Sequence, residues 1–235
     1  ISKFVKTYLT EKWEITPNRI GLVYHGISLN TQENSGDRCA IPSLKSFPFI
    51  FTAGSIRPAR GLEDIVRALG LISRDQHLHL VVAGNVDPGM EAYFNKLKKI
   101  AASLGINERI HWVGKLNDAE IAWYYQNCSA FVMTSRVESF GMIAGEAMAH
   151  GCVCVSADNP CLPEIFGSAA LYYKPKDYHA LANAIMEVLT WDENKRKQMS
   201  DRAKQRASQF SWEVCAQKTV DQLQLAIEEY TQKRR

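Results

Sequence analysis

Short apolar runs alternate along the chain with longer stretches in which apolar positions recur every three or four residues. The short runs, at residues 20–24, 49–53, 78–83, 110–113, 130–134, 152–156 and 170–173, contain few polar side chains. Strands buried on both faces of a parallel sheet have this character. The longer stretches predict helices near residues 62–72, 91–104, 118–127, 140–150 and 178–190, because a 3.6-residue period places their apolar positions on one face. Strand and helix alternate with short connections. The expected fold is therefore α/β, a Rossmann-like doubly wound parallel sheet.

Gly54, Gly84 and Gly114 each follow an expected strand at an interval of thirty residues, the size of one strand–helix unit. In open parallel sheets ligands lie beyond the carboxyl ends of the strands, and small residues there let a ligand approach the backbone. The face to search is defined by Gly54-Ser55, Gly84-Asn85, Gly114-Lys115, Ser135-Arg136 and Ala157-Asp158.

The flanks differ from this centre. Residues 2–13 read as a helix, followed by Thr16-Pro17-Asn18 and a strand that ends at His25-Gly26. Residues 31–46 are polar and read as a mobile linker. Beyond about residue 191 the chain is helical and charged, and Ser211 is placed to cap a last helix running to about residue 231. The organisation expected is a leading segment at 1–30, the linker at 31–46, the Rossmann-like domain at 47–210 and a terminal helix at 211–235.

Composition narrows the function. The net charge of +3 is too small to make nucleic acid the main partner. The one dense basic run, Lys233-Arg234-Arg235, reads as a solvated tail. Six cysteines form no paired C-x-x-C block, and the six histidines show no metal-ligand spacing, so no metal site is expected. The cysteines read as free, mostly buried thiols in a reducing compartment, and His77 and His79 as packing residues around a strand. No run approaches the apolar length of a spanning helix, and no signal peptide is read at the start. The location expected is cytoplasmic.

The most specific stretch runs from Ser135 to Gly151, with Glu138, Phe140, Gly141, Met142 and Glu146 inside it. It reads as a strand end, a turn and a helix stopped by Gly151. Free N–H groups at Phe140, Gly141 and Met142 would face outwards from the helix start, a site suited to a diphosphate. Glu146 falls in line with Met142 and His150, about 9 Å along the axis from Phe140 at ~1.5 Å per residue. A carboxylate there can accept hydrogen bonds from a ribose. The same residues could equally be a solvated helix acid and a surface loop acid.

Glu138 and Glu146 form E-x7-E within S-x-x-E-x-F-G-x-x-x-x-E-A-x-x-x-G, which resembles the donor site of the large glycosyltransferase family that includes glycogen synthase and sucrose synthase. Further segments agree in order. Tyr24-His25-Gly26-Ile27 resembles the interdomain strand, with His25 in place of an Asn. The stretch from Gly54 to Leu62 resembles the phosphate loop, Val113-Gly114 the nucleobase region, Pro163 to Gly167 the segment after the next strand, and Phe210-Ser211-Trp212 the closing helix.

The resemblance implies a GT-B architecture, two Rossmann-like domains around a cleft, of which this chain supplies the C-terminal half. It implies transfer of a hexose from a nucleoside diphosphate sugar with retention of configuration and without a metal or other cofactor. Glu138 would bind the sugar, the N–H groups at Phe140–Met142 and Arg60 the diphosphate, and Glu146 the ribose, with Gly54 opening the loop. Arg60 and Glu138 would also serve the chemistry. The loop departs from the family pattern in having Ser55 where a basic residue often follows the first glycine. Arg57 either replaces that charge or pairs with a surface acid. The partner implied is an N-terminal acceptor-binding domain, through which any contact with a membrane surface would be made, and without which the chain would not turn over. The alternatives are a nucleotide-sugar epimerase or phosphorylase-like enzyme, or a non-catalytic nucleotide-binding module. A nicotinamide-binding enzyme would need G-x-G-x-x-G after an early strand, and the sequence has none.

Overall fold

A computed structural model describes residues 1–28 and 41–232. Six strands form one parallel sheet: β1 (Phe49–Ala53), β2 (His79–Ala83), β3 (Ile110–Gly114), β4 (Ala130–Met133), β5 (Cys154–Ala157) and β6 (Ala170–Tyr173), in the order β3-β2-β1-β4-β5-β6. The strands have this apolar content because both faces are covered. Ile50, Phe51, Leu80, Val81, Phe131, Val132 and Val155 are fully buried.

The helices are α1 (Lys3–Lys12), α2 (Glu63–Leu71), α3 (Glu91–Ser103), α4 (Asp118–Asn127), α5 (Met142–Ala149), α6 (Leu162–Phe166), α7 (Tyr178–Thr190), α8 (Glu193–Ala207) and α9 (Trp212–Gln232). Right-handed crossovers place α2 and α3 on one face of the sheet and α4, α5 and α6 on the other. α7 packs beside α2, and α8 beside α5. The strand order reverses between β1 and β4. In this topology the crevice beyond the carboxyl ends of those two strands is the ligand position.

Two glycines hold the loops at that end. A Cβ on Gly84, at φ 133°, would lie 2.0 Å from the carbonyl oxygen of Gly54, and one on Gly61, at φ 60°, would lie 2.4 Å from that of Thr134. No larger residue lets these loops approach so closely.

Two expectations change, and two others fall largely or wholly outside the described residues. Residues 20–24 are not a strand. Their apolar pattern reflects side-chain packing, since Tyr24 meets Phe140 and Phe210 with ring centroids 6.2 and 5.6 Å away. The linker expected at 31–46 falls largely outside the described residues, and its described end forms a 3₁₀ turn, Pro42–Ser46. The basic tail 233–235 also lies outside them. His79 does more than pack, because its Nδ1 lies 2.9 Å from Nε2 of His111 on the neighbouring strand.

The leading segment docks on the sheet domain through one acid. Glu164 accepts hydrogen bonds from the backbone N–H groups of Lys3 and Phe4 at 2.6 and 3.1 Å, and from the Tyr24 hydroxyl at 2.6 Å. Burial and the Glu164 carboxylate push the Tyr24 hydroxyl up to about 12. Glu164 thus caps α1 together with Ser2, whose Oγ accepts from the Val5 N–H at 3.2 Å. Ser211 caps α9, accepting from the Val214 N–H at 3.1 Å. Among the described residues no helix is long and apolar enough to cross a membrane.

Candidate functional site

Gly54 ends β1 at φ 121°, and a Cβ there would lie 3.0 Å from Arg60 Nε and from Ile143 Cδ1. This close approach brings the loop arginine and the first turn of α5 together over the switch point. Arg60 closes a 3₁₀ turn, Pro58–Arg60, and is separated from α2 by Gly61 in the left-handed region. The left-handed glycine turns the chain, and Arg60 reaches across to the β4 loop. There its Nη1 donates to Glu138 Oε1 and, at 3.4 Å, to Ser135 Oγ. Both members of the Arg60–Glu138 ion pair are largely buried. Arg60 Nε is buried and has no hydrogen-bond acceptor among the described residues. A buried cationic donor left in this state favours an anionic ligand.

The Arg60 turn is fastened by contacts that the sequence reading missed. The Arg136 N–H donates to the Ala59 carbonyl at 2.8 Å, and the Thr134 hydroxyl to the Arg60 carbonyl at 2.6 Å. The Arg136 guanidinium in turn grips Asp64 with both terminal nitrogens at 2.6 Å. Asp64 also accepts from the Tyr173 hydroxyl at 3.1 Å and the Lys176 N–H at 2.9 Å. The hydrogen bond to Asp64 raises the Arg136 pKa despite burial. An acid in the first turn of α2 is an ordinary complement to the helix dipole, so nothing in the sequence marks Asp64 as the partner of Arg136.

Arg57 lies elsewhere. It is half-exposed and pairs with Asp87 at 3.7 Å, on a neighbouring loop edge.

α5 begins at Met142, with Gly141 as N-cap at φ 91° and no side-chain cap. The first N–H groups of a helix have no intrahelical acceptor, and none is supplied here by a cap side chain. Gly141 is required by its backbone angle and not by crowding, because a Cβ there would meet only ordinary contacts at 3.5 Å and beyond. Phe140 lies before the helix with its ring buried against Tyr24, His25 and Phe210. The helix ends in a Schellman motif. The Cys152 N–H reaches the Ala147 carbonyl at 3.0 Å and that of left-handed Gly151 reaches Met148 at 2.9 Å.

Glu146 is half-buried one turn into α5, about 6 Å along the axis from Met142 at ~1.5 Å per residue. That is nearer the helix start than the expected 9 Å, because α5 starts two residues later than Phe140. With Met142 and His150 it lines one wall of a cavity of about 240 Å³. The other wall is Leu116, Asp118, Ile121 and Tyr125. Asp118, Ile121 and Tyr125 share one face of α4 at helical spacing, a signal in the sequence that went unused. The Tyr125 hydroxyl donates to Glu146 at 3.2 Å, and its ring stacks on His150 with centroids 5.1 Å apart. Burial, with a smaller contribution from the Asp118 carboxylate, raises the Glu146 pKa against this hydrogen bond.

The expected residues therefore fall in two adjoining groups. Gly54, Arg60, Glu138 and the first turn of α5 meet at the switch point; Met142 and Glu146 continue into the cavity beside it. Arg57 stands apart in its own ion pair.

Residues 38–206 match the family described as Glycosyl transferases group 1. An uncharacterized glycosyltransferase, MJ1607, of Methanocaldococcus jannaschii is 26% identical over 97% of this chain and 60% of its own length. The D-inositol 3-phosphate glycosyltransferase of Corynebacterium glutamicum is 25% identical over 88% of this chain and 52% of its own. Anabaena Alr3699/HepE shares the fold in its structures with UDP and with UDP-glucose, each at TM-score 0.84, with 19% and 20% identity over 95% of this chain and 62% of that one. The chain thus spans little more than half the length of these proteins. By the family match and the Rossmann-like sheet it shares with GT-B glycosyltransferases, the chain belongs to the group 1 glycosyl transferases.

Proposed function

We propose that the crevice beyond β1 and β4 binds a nucleoside diphosphate sugar, and that the chain is the donor-binding part of a retaining hexosyltransferase. The observation that carries this is the convergence of buried Arg60, with its unmatched Nε, and the uncapped start of α5 over Gly54. The diphosphate lies between them. Glu146 holds the ribose from the adjoining cavity, and Glu138 holds the sugar on the opposite side. The HepE complexes with UDP and UDP-glucose support the ligand class.

In this reading Arg60 and the helix-start N–H groups carry the catalysis. They stabilise the charge that develops on the departing nucleoside diphosphate, and as fixed donors they need little reorganisation. The attacking hydroxyl enters on the face the diphosphate leaves, and a donor phosphate oxygen accepts its proton. No metal is assigned a role. Arg57, held by Asp87, contributes only charge at the rim. Before the ligand enters, Glu138 occupies the guanidinium of Arg60. The diphosphate displaces it and frees the carboxylate for sugar hydroxyls.

The acceptor side belongs to a second domain. α9 has no buried residue and presents Val220, Leu223 and Ile227 exposed at helical spacing. This stripe supports a covering by that domain, and productive alignment needs both walls of the cleft.

A thermal-shift screen against UDP-, GDP- and ADP-sugars tests the proposal. One donor class should stabilise the chain, by about 2.7 kcal/mol at a hundred times its dissociation constant, while sugar transfer by the isolated chain stays absent. No stabilisation by any of the three would overturn donor binding. Robust transfer by the chain alone would overturn the need for a second domain.

A further inference from the structure

Beneath the Glu146 cavity lies a pair of thiols. Sγ of Cys128, at the end of α4, is 4.0 Å from Sγ of Cys152, in the turn after α5. Both thiols donate to one acceptor, the Tyr125 carbonyl, at 3.5 and 3.1 Å. Cys128 is partly buried and Cys152 buried. A second cavity, of about 330 Å³, is lined by both cysteines. Tyr125 and His150 line this cavity as well as the one that holds Glu146, so two stacked rings separate the thiols from the ribose position.

We propose that Cys128 and Cys152 form a reversible disulfide that weakens nucleotide binding through Tyr125. The oxidant is a low-molecular-weight disulfide. Cys128, the accessible thiol, loses its proton and attacks one sulfur of that disulfide, forming a mixed disulfide and releasing one thiolate. Cys152 then gives up its proton and attacks Sγ of Cys128, releasing the second thiolate. The released thiolates take up the two protons. Two electrons have passed from the cysteine pair to the small disulfide, which leaves as two thiols. Burial raises the Cys152 pKa well above the usual thiol value, which fits Cys128 reacting first and Cys152 resolving.

The coupling is geometric. Bond formation requires the sulfurs to close by roughly 2 Å and removes both S–H donors from the Tyr125 carbonyl. Cys152 is joined through Gly151 to His150, and Cys128 lies three residues after Tyr125. Closure therefore pulls on both rings of the partition, and the Tyr125 hydroxyl is what holds Glu146.

The effect on affinity rests on the donor-site reading; formation of the bridge does not. The test is to incubate the full chain with oxidised glutathione, quench it in acid, block free thiols and map the peptides without reduction. A Cys128–Cys152 cross-link should appear and be reversed by dithiothreitol. Titration with UDP, GDP and ADP should show the best ligand binding the oxidised protein roughly three- to tenfold more weakly, the worth of about one hydrogen bond. Cys128→Ser, at the less buried position, should abolish both the cross-link and the oxidant effect, and Cys152→Ala should do the same. Absence of the link, a link from Cys152 to Cys154 instead, or a link with unchanged affinity would overturn the proposal. Failure of the reduced protein to bind any of the three nucleotides would overturn the coupling by way of the donor site, whatever the peptide map shows.

Discussion

Replacing Asp64 with alanine should lower the stability of the domain by about 3–5 kcal/mol, the range for breaking a buried ion pair from one side. Asp64 is only 2% exposed and accepts four hydrogen bonds, two of them from Arg136. Its removal leaves a largely buried guanidinium without its counter-charge, and leaves the Tyr173 hydroxyl and Lys176 N–H without an acceptor. The damage extends to the site, because Arg136 also holds the Arg60 turn through Ala59. Nucleotide affinity should fall together with stability. Urea unfolding of Asp64→Ala and wild type measures the first effect, and nucleotide titration the second. A loss below about 1 kcal/mol, as for an exposed pair, would show that the network does not anchor the loop.

The second large effect is expected at Arg60. Arg60→Ala should weaken the best-binding nucleoside diphosphate by roughly 1.5–3 kcal/mol, the range for hydrogen bonds to charged groups. Arg57→Ala should cost less than about 1 kcal/mol, because a half-exposed charge is screened by solvent. The sequence already ranks Arg60 above Arg57 as the diphosphate ligand. The structure separates them, since Arg60 lies over Gly54 against α5, whereas Arg57 is held by Asp87. Calorimetric titration of both variants decides the order, and a larger loss at Arg57 would contradict the account.

The sheet could be read from the chain because its strands are covered on both faces, so apolar runs and strands coincide. β1, β6, α4 and α7 begin and end where the pattern placed them. The same signal misled at residues 20–24. An apolar run reports side-chain packing, whereas a strand also needs a neighbouring backbone, and the Ile20 N–H turns back to the Pro17 carbonyl instead. Within the site, E-x7-E marked α5 and its flanking turn, since a helix with a glycine before it has a local signature. The Asp64–Arg136 pair joins residues 72 positions apart and has none. Tyr125 was missed for a related reason: its partners Glu146 and His150 lie on another helix, so its role emerges only when α4 and α5 pack together. The Arg60–Glu138 pair was also hidden. Each acquired a ligand role from the resemblance, and neither role reveals that the two residues bind each other.

The division of the donor between the two acids is the central claim, and one calorimetric experiment reaches it. UDP and UDP-glucose, or the corresponding pair chosen by the screen, are titrated into wild type, Glu138→Ala and Glu146→Ala. Glu146→Ala should weaken both ligands alike, by about 1.5–3 kcal/mol, because the ribose is common to them. Glu138→Ala should weaken only the nucleotide sugar by a similar amount. Its affinity for free diphosphate should hold or rise, because Arg60 no longer has a competing carboxylate. Equal losses for both ligands at Glu138, or no loss at Glu146, would contradict the account.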